Sequence, residues 1–524
     1  MAVTLTINGN VTQAAAGDSL FDCAERVGVR VPTSCHKQGK CKECMVEVAE
    51  GMEHLSPPAD TERHLSGHFR LSCSTRIVGA SGQVRCHTMR RGHLHIESRG
   101  DGLAGLRTAD FTPRCGYGIA MDLGTTTVVV RLFNLESGEL VADASFENPQ
   151  RFGGSEVMAR IHYDTTHPGK LLRRTLAGYL THAIEEFPVD PLAIREMVVV
   201  GNSTMRDLFF RQNVYSIGQS PYRSVTEIEM AQGKRATTSL IETGRRCLLP
   251  IRPEARVYGA PIISGHVGAD AAACMLAIDL AHEDRLVAVM DIGTNTELIL
   301  GNRHRILAAS CPAGPAFEGG AIACGMPALD GAIADVRIDE SGAFQLEVIG
   351  GGGPAGICGS GLIALLSELR RTGRMNERGR FEDDLERVTL APDVYFLESD
   401  VNELAQAKGA NVAGLQTVCS NYGVPFDEIE VFYLAGGFGR HIDVEAAARI
   451  GLIPPIPRSR IVQVGNAAIE GASIALLSEG KRRELEELVL RAEHCRLETH
   501  PRFFDFFVDG CLFRPVESAH QVTE

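Results

Sequence analysis

The sequence has no long apolar run and no excess of basic residues, and each absence excludes a class of protein. No segment reaches about eighteen consecutive apolar residues, so no transmembrane helix is predicted. The chain has 52 lysines and arginines against 66 aspartates and glutamates, which gives a formal charge of -14 at pH 7. Proteins that bind nucleic acid or anionic membranes need a basic face, so neither partner is expected.

The sequence also lacks the features of a secreted protein. Its first residues, MAVTLTINGN, alternate apolar and polar side chains, which predicts a β-strand rather than a signal peptide. The 15 cysteines are an odd number, and most stand singly in apolar surroundings. No disulfide framework is therefore expected, and the predicted location is the cytoplasm. At 524 residues the chain is too long for one core, so several domains are expected.

Four cysteines near the N-terminus form the first motif that carries chemistry. Cys35, Cys41 and Cys44 have the spacing C-x5-C-x2-C, and Cys73 follows in RLSCST. Four thiolates suit either tetrahedral zinc or an iron–sulfur cluster. The flanking pattern predicts a small β-grasp order of two strands, the helix DSLFDCAERVGV, the cysteine loop and the strand CMVEVAEG. The single C-x2-C pair favours the cluster over a zinc ribbon, with zinc or reduced structural thiols as the alternatives.

This N-terminal pattern resembles the [2Fe-2S] ferredoxin domain. The plant-type signature has one residue fewer in the first gap, and the longer gap found here is similar to that of adrenodoxin-like ferredoxins. The resemblance implies a [2Fe-2S] cluster held by Cys35, Cys41, Cys44 and Cys73 in a domain over residues 1–95.

Two further features of this region are predicted from its composition. Cys23, on the helix, and Cys86, in the strand GQVRCHTM, are expected to be buried core residues. Residues 96–115 are rich in glycine and arginine without a sustained apolar period, which predicts a flexible linker that lets the small domain swing.

An internal repeat marks the main body of the chain. GIAMDLGTTTVVVRLFN begins at Gly118 and LVAVMDIGTNTELILGN begins at Leu286, so two related lobes are expected over 116–260 and 261–480. Each copy predicts a hairpin whose turn offers N–H groups and hydroxyls to phosphate, after an aspartate that suits hydrated Mg²⁺. The candidates are Asp122 and Asp291 for Mg²⁺ through water, and Thr125, Thr126, Thr294, Asn295 and Thr296 for phosphate.

A third element lies between residues 430 and 443, in EVFYLAGGFGRHID. It predicts a buried strand that runs into Gly436 and Gly437 and then a helix, where a planar base or a ribose can approach the backbone closely. Together with the two hairpins, this order resembles the actin, sugar kinase and Hsp70 superfamily. The resemblance implies ATP binding between two RNase H-like lobes, and the alternative is a two-lobed fold that has lost its nucleotide.

The combination of a ferredoxin domain with this ATPase body resembles the reductive activators of corrinoid-dependent enzymes. Stretches that are similar to the family include NPQRFGGSEVMARI, VVVGNSTMRDLF, SGHVGADAAACML, GPAFEGGAIACGM, GICGSGLI, AKGA and VGNAAIEGA. The resemblance implies ATP-dependent reduction of a Co(II) corrinoid protein to Co(I), with electrons that pass from a low-potential donor through the cluster. The larger activators have a middle domain before the first Asp-Gly-Thr turn, and this sequence has no room for it.

Several other residues are candidates for a role. Glu318 in GPAFEGG either orients the attacking water or stabilises a turn, and Lys408 either reaches the nucleotide or is solvated. Ser310 and the neighbouring Cys311 are candidates for a contact with the cobalt. Residues 481–524 are expected to pack on the ATPase body, with the aromatic residues of THPRFFDFFVDGCLF in the core. A homodimer is a candidate assembly.

Two other functions are compatible with the same motifs. The first is a reactivating chaperone that exchanges damaged cobalamin with ATP and needs no cluster. The second is a redox-sensing protein in which the state of the cluster gates nucleotide binding without turnover.

Overall fold

The structure is a computed structural model that describes residues 2–89, 110–382, 385–437 and 439–517. The predicted linker, 96–115, lies mostly outside the described residues. Among the helices within these ranges, none has both the length and the apolar character that spanning a membrane requires.

A five-stranded sheet and one helix form the N-terminal domain. Alternation in VTLTI buries Val3, Leu5 and Ile7 on one face, and the Ser19 hydroxyl accepts a hydrogen bond from the Asp22 N–H at 3.0 Å to start the helix. The sheet has the order β2-β1-β5-β3-β4, which confirms the β-grasp prediction. The elements are β1 (Val3–Ile7), β2 (Asn10–Ala14), α1 (Leu20–Arg26), β3 (Met45–Glu50), β4 (Phe69–Leu71) and β5 (Gln83–His87). Cys23 and Cys86 are both buried, as predicted.

The first repeat builds a six-stranded sheet with the order β10-β11-β9-β6-β7-β8. Its central strands are apolar along almost their whole length because both faces of the sheet are covered. The elements are β6 (Tyr117–Leu123), β7 (Thr127–Asn134), β8 (Leu140–Glu147), α2 (Val157–Thr166), α3 (Leu171–Glu185), β9 (Ile194–Gly201), α4 (Ser203–Phe209), α5 (Val225–Ala231), β10 (Leu240–Thr243), β11 (Arg256–Gly259) and α6 (Ala269–Ala277).

The second repeat builds another six-stranded sheet, with the order β21-β20-β12-β13-β14-β22 and a smaller three-stranded sheet and hairpin inserted in it. The elements are β12 (Val287–Ile292), β13 (Thr296–Gly301), β14 (Ile306–Cys311), β15 (Ala332–Ile338), β16 (Phe344–Val348), β17 (Gly356–Ile357), α7 (Gly359–Arg371), β18 (Arg387–Ala391), β19 (Val394–Leu397), α8 (Glu398–Tyr422), β20 (Val431–Ala435), α9 (Val444–Arg449), β21 (Ile461–Gly465), α10 (Ala467–Leu477), α11 (Glu479–Arg491), β22 (Ala492–His494) and α12 (Phe503–Gly510).

The two large sheets share one topology. In each, an antiparallel meander of three strands is extended by two parallel strands on the side of its first strand. β9 pairs with β6 and β11 with β9, just as β20 pairs with β12 and β21 with β20. Both Asp-Gly-Thr segments therefore occupy the same place, the turn between the first two strands. This is the duplicated, two-lobed architecture that the repeat predicts.

Helix α10 lies between the two lobes and connects them. Although it follows the second sheet in the chain, it packs against β6 and β9 of the first sheet and against α6. Arg131 on β7 donates to Glu470 on α10 at 2.8 Å, and both side chains are almost completely buried.

We expect Glu470→Gln to lower the free energy of unfolding by about 3–5 kcal/mol, because breaking a buried ion pair leaves its partner's charge uncompensated. Urea unfolding of the two proteins measures the difference. Arg285→Ala, which removes an exposed pair with Glu283, serves as the control and should cost less than about 1 kcal/mol. Equal midpoints for Glu470→Gln and the wild-type protein would contradict the prediction.

The C-terminal segment packs against the ATPase body, and its helix α12 lies against α8. Phe506 and Phe513 are buried, as predicted for this tail, but Phe504 is 73% exposed and therefore lies outside the core. Both readings of Lys408 are wrong, because its side chain is fully buried and its amine donates to the carbonyl oxygens of Gly510 and Leu512. Lys408 thus anchors the end of α12 rather than reaching a nucleotide or the solvent.

Burial lowers the pKa of Lys408 to about 7, so its contribution to stability depends on pH. The unfolded chain keeps this proton up to the ordinary lysine pKa of about 10.4. Between the two pKa values, the free energy of unfolding should therefore increase with rising pH by up to about 1.4 kcal/mol per pH unit. Lys408→Met should lose this dependence. Unfolding midpoints of both proteins at pH 7.5, 8.5 and 9.5 test it, and parallel curves would overturn it.

The N-terminal domain is docked on the first lobe. Met45 and Met89 are buried in the same apolar cluster as the core of that lobe. The Tyr179 hydroxyl donates to the Met45 carbonyl at 3.4 Å, and the Tyr163 hydroxyl donates to the His64 carbonyl at 2.9 Å. These buried contacts differ from the predicted freely swinging domain, since apolar surface shared with the lobe must be exposed before the domain can move.

Candidate functional site

The four N-terminal cysteines converge in one loop of the docked domain. Cys41, Cys44 and Cys73 are buried and Cys35 is half-buried. The sulfur atoms of Cys44 and Cys73 are 3.2 Å apart, and Cys35 is hydrogen-bonded to Cys41, so the thiols form two pairs.

The thiols of Cys35 and Cys73 favour the thiolate form that iron requires. Burial raises the pKa of Cys35, but hydrogen bonds from the backbone and side chain of Cys41 and from the amides of Lys40 and Gln38 outweigh it and bring the pKa to about 7. A hydrogen bond from the Cys44 thiol lowers the pKa of Cys73 to about 6. The same hydrogen bond, together with burial, raises the pKa of Cys44. Two thiol pairs surrounded by N–H donors fit a [2Fe-2S] cluster, in which each iron takes two sulfur ligands from the protein.

A second site lies in the cleft between the two repeated turns, around a cavity of about 620 Å³. Residues from both turns, from the Gly-Gly segment and from the loop that carries Glu318 line the cavity. The predicted residues among them are Asp122, Thr125, Thr126, Asp291, Thr294, Asn295, Glu318, Gly436 and Gly437. The structure therefore brings most of the predicted nucleotide site together.

The turns touch directly across the cleft. The hydroxyl oxygens of Thr126 and Thr294 are 2.6 Å apart, and both hydroxyls donate to the carboxylate of Glu318. Burial raises the pKa of Glu318, and these two hydrogen bonds partly offset that effect. Glu318 thus bridges the turns here, which is closer to the predicted stabilising role than to the positioning of water.

The aspartates of the two turns face the same cavity and are partly buried. Burial raises the pKa of Asp122 to about 6 and that of Asp291 to about 7. Asn466 donates to Asp122 at 2.9 Å, and the Cys274 thiol donates to Asp291 at 3.3 Å. Carboxylates whose charge is poorly solvated in this way bind a divalent cation or its water shell favourably.

Gly436 meets a steric requirement at the end of β20. Its φ of +111° lies in the left-handed region, and a Cβ atom there would be 2.3 Å from the Ile292 carbonyl oxygen. The end of the strand therefore passes close to the second turn. The helix does not follow directly, since α9 begins at Val444, where the Asp443 carboxylate accepts hydrogen bonds from the Glu445 and Ala446 amides.

Two predicted residues do not reach the cavity. Thr296 is fully buried at the start of β13 and is not among the lining residues, although its neighbours Asn295 and Glu297 are. Ser310 donates its hydroxyl to Glu297 at 3.1 Å from the adjacent strand, so it lies behind the cavity wall. The alternation of side chains along a strand explains why one of three consecutive residues points away.

Comparisons with known proteins agree with this geometry. Three family models match successive parts of the chain: a 2Fe-2S iron-sulfur cluster binding domain over 5–78, the RACo middle region over 117–283, and the C-terminal domain of RACo, described as the ASKHA domain, over 285–522. The corrinoid activation enzyme RamQ of Eubacterium limosum is 31% identical over 448 residues, which cover 78% of this chain and 73% of that protein.

The chain belongs to the RACo family of corrinoid activation enzymes.

A second relative is the reductase of the Co(II) methylated amine-specific corrinoid protein from Methanosarcina barkeri, 26% identical over 78% of this chain and 80% of its own length. Among solved structures, a reductive activator for a corrinoid, iron-sulfur protein shares the fold with a TM-score of 0.72 and 24% identity, over 98% of this chain and 99% of that one.

The comparisons correct one prediction. The sequence predicts that the middle domain of the larger activators is missing, but the family's middle region matches residues 117–283, which form the first lobe. The expectation was wrong because the middle region begins at the first Asp-Gly-Thr hairpin rather than before it.

Sequence reasoning missed five polar residues of the RACo-type cleft. Asp270 at the start of α6 is half-buried and Glu297 on β13 is buried. Both line the cavity, and burial raises the pKa of both, that of Asp270 to about 7. Asn202 donates to Thr125 at 2.8 Å, and Asn466 and Cys274 contact the two aspartates. Three of the five, Asn202, Asp270 and Asn466, stand at the start of a helix, where such residues are common without any function, so the pattern gave no distinguishing signal.

Proposed function

We propose that this protein is an ATP-dependent reductive activator of a corrinoid protein, which passes an electron from a [2Fe-2S] cluster to Co(II) and so restores Co(I). The observation that carries the proposal is the position of the domain with the four cysteines. This domain packs against the first lobe, and the Asp-Gly-Thr turn of that lobe also lines the nucleotide cleft. The names of the two relatives support the corrinoid protein as the acceptor.

Cys35, Cys41, Cys44 and Cys73 would hold the cluster, which supplies one-electron transfer. The backbone amides of Gln38 and Lys40 stabilise negative charge on Cys35, and the Gly39 amide does so on Cys73. Hydrogen bonds of this kind favour the reduced form of a cluster, because reduction adds a negative charge beside them. The loop therefore accepts an electron from a low-potential donor more readily than bare thiolates would.

The cleft residues would bind Mg-ATP. Thr125, Thr126, Thr294 and Asn295 offer hydroxyl, amide and backbone N–H groups to the phosphates, and Asp122 and Asp291 would hold water molecules around Mg²⁺. Gly436 and Gly437 let the nucleoside approach the backbone. Because Thr126 and Thr294 contact each other directly, phosphates must separate the two turns, so nucleotide binding changes the spacing of the lobes.

This change in spacing explains why ATP is needed. The Co(II)/Co(I) couple lies at a very negative potential, so a ferredoxin-type cluster alone populates Co(I) poorly. ATP binding and hydrolysis supply free energy only through states that bind the partner differently. A lobe arrangement that favours Co(II) without its axial ligand makes that cobalt easier to reduce.

The partners of the proposed activator are a Co(II) corrinoid protein and a low-potential electron donor, and its proposed location is the cytoplasm. A homodimer is part of the same proposal.

Nucleotide hydrolysis separates this proposal from its alternatives. The activator should hydrolyse ATP faster when a Co(II) corrinoid protein is present, and only with the cluster loaded should Co(I) form. A reactivating chaperone would keep its activity after removal of the cluster, and a redox sensor would bind nucleotide without hydrolysis that its partner stimulates. Either outcome would replace the proposal.

A further inference from the structure

Arg151 lies where the nucleotide cleft meets the ferredoxin domain. It follows β8 in the short turn Pro149–Gly153, and its guanidinium is 2.9 Å from a Glu147 carboxylate oxygen of the first lobe and 3.4 Å from a Glu47 carboxylate oxygen of the ferredoxin domain. The side chain is 28% exposed, so water screens these contacts only in part. One guanidinium therefore joins carboxylates of two domains.

The lobe side of this contact belongs to the cleft. Glu147 lines the cavity, and the next residue, Asn148, donates its backbone N–H to the Thr126 carbonyl at 2.6 Å and its side-chain amide to the Gly124 carbonyl at 2.8 Å. The first phosphate-binding turn is thus fastened to the segment that carries Arg151. A displacement of that turn moves Arg151 with it.

The ferredoxin side is equally direct. Glu47 stands on β3, two residues after Met45, and its carboxylate is 3.0 Å from the ring of His87 on β5. The Glu147 amide donates to the Met89 carbonyl at 3.1 Å, so the end of β8 also bonds the segment that follows β5. Strand β3 and the segment after β5 therefore both contact residues at the end of β8, next to the cleft.

The charge of Arg151 also acts inside the cleft. It is one of the two cations that lower the pKa of Glu318, the residue that bridges Thr126 and Thr294, against the larger effect of burial. Its field therefore reaches the place where polyphosphate would enter. A bound polyphosphate would compete with Glu47 for the same guanidinium, because it carries several negative charges where Glu47 carries one.

We propose that Arg151 couples the two sites: it holds the ferredoxin domain against the first lobe, and polyphosphate in the cleft draws it away from Glu47 and releases the domain. The polyphosphate is the Mg-nucleotide of the proposed function, on which this inference rests. Release would free the cluster loop to approach the corrinoid partner only when the cleft is occupied. Since coupling is reciprocal, docking of the domain must weaken nucleotide binding by the same factor.

The chain offers a matched control. Arg30 also joins the two domains, through Glu185 and Glu186 at the end of α3, at 3.4 and 3.1 Å. These residues do not line the cavity. Arg30→Ala should therefore loosen docking without changing the response to nucleotide.

The test uses the full-length protein with its cluster loaded, and Mg²⁺ with the non-hydrolysable analogue AMP-PNP as the probe. A short hydroxyl-radical pulse labels exposed methionine, and mass spectrometry measures the labelling of Met45 and Met89, both fully buried at the domain contact. Met197, buried in the lobe core, is the internal reference. In the wild-type protein the nucleotide should raise labelling of Met45 and Met89 several-fold and leave Met197 unchanged.

Arg151→Ala should be labelled strongly with and without nucleotide, and Arg30→Ala should keep the nucleotide-dependent rise. Calorimetry on the same samples should show that Arg151→Ala binds AMP-PNP more weakly than the wild-type protein, because it lacks the guanidinium that the polyphosphate attracts, whereas Arg30→Ala should not bind it more weakly. Arg151→Lys keeps the charge but not the two parallel donors of the guanidinium. Its nucleotide-dependent labelling of Met45 and Met89 should be intermediate, and it tests the coupling even if the alanine variant misfolds.

Two results overturn the inference in different ways. Nucleotide that binds by calorimetry without exposing Met45 and Met89, or an Arg151→Ala variant that responds like the wild-type protein, overturns the coupling and leaves the proposed function standing. Absence of nucleotide binding in the wild-type protein overturns the proposed function and the coupling together.

Discussion

Replacing Cys41 by serine is expected to remove the [2Fe-2S] cluster and to abolish reduction of the corrinoid cobalt. The Cys41 thiol is buried and paired with Cys35, so its loss leaves one iron without a sulfur ligand inside a site that has no thiol to replace it. Iron content, the visible spectrum of the purified protein and Co(I) formation should all fall to the level of the protein without cluster.

Cys86→Ala is the matched control for this experiment. Cys86 is a buried cysteine of the same domain, on β5 outside the cysteine loop. It should keep its cluster and its activity even if the domain loses some stability. A Cys41→Ser protein that retains ATP-dependent Co(I) formation would show that electrons reach cobalt by another route.

Replacing Asp291 by asparagine should lower ATP-dependent Co(I) formation by about 100-fold, the effect expected for loss of a residue that orients the shell around a metal ion. Asp291 is partly buried at the second turn, and burial already raises its pKa to about 7. A neutral amide should therefore be tolerated by the nucleotide-free fold, and thermal unfolding should show no loss of stability. The defect then belongs to Mg-ATP and not to folding.

Asp335→Asn provides the comparison. Asp335 also lines the cavity but is already paired with Arg337 at 3.2 Å. It should lower activity by far less than Asp291→Asn does. Equal losses in the two variants would mean that general negative charge in the cavity, rather than a defined metal position, is what the reaction needs.

The cysteine loop and the duplicated turns could be predicted from sequence because their chemistry is local. Cysteines at fixed spacing and an aspartate before a Gly-Thr turn lie within a few residues of each other, so the motif nearly determines the geometry. The matching positions of Asp122 and Asp291 in the two sheets follow from the repeat itself.

Residues brought together by long-range packing were not predictable. Asp270 and Glu297 reach the cavity from a helix and a strand that carry no recognisable motif, and Lys408 is buried only because α12 covers it. The docking of the ferredoxin domain depends on Met45 and Tyr179, far apart in the chain. In each case the residue is placed by a contact with a segment far away in the sequence. Periodicity and motif spacing describe only neighbouring residues and do not predict such contacts.

The most direct test of the account is the anaerobic visible spectrum of a Co(II) corrinoid protein mixed with this protein and a reductant, recorded with and without Mg-ATP. The account predicts that Co(I) accumulates only when Mg-ATP is present and the cluster is loaded. Co(I) that forms equally without ATP, or a reduced cluster beside cobalt that stays Co(II) with every corrinoid protein supplied, would contradict it.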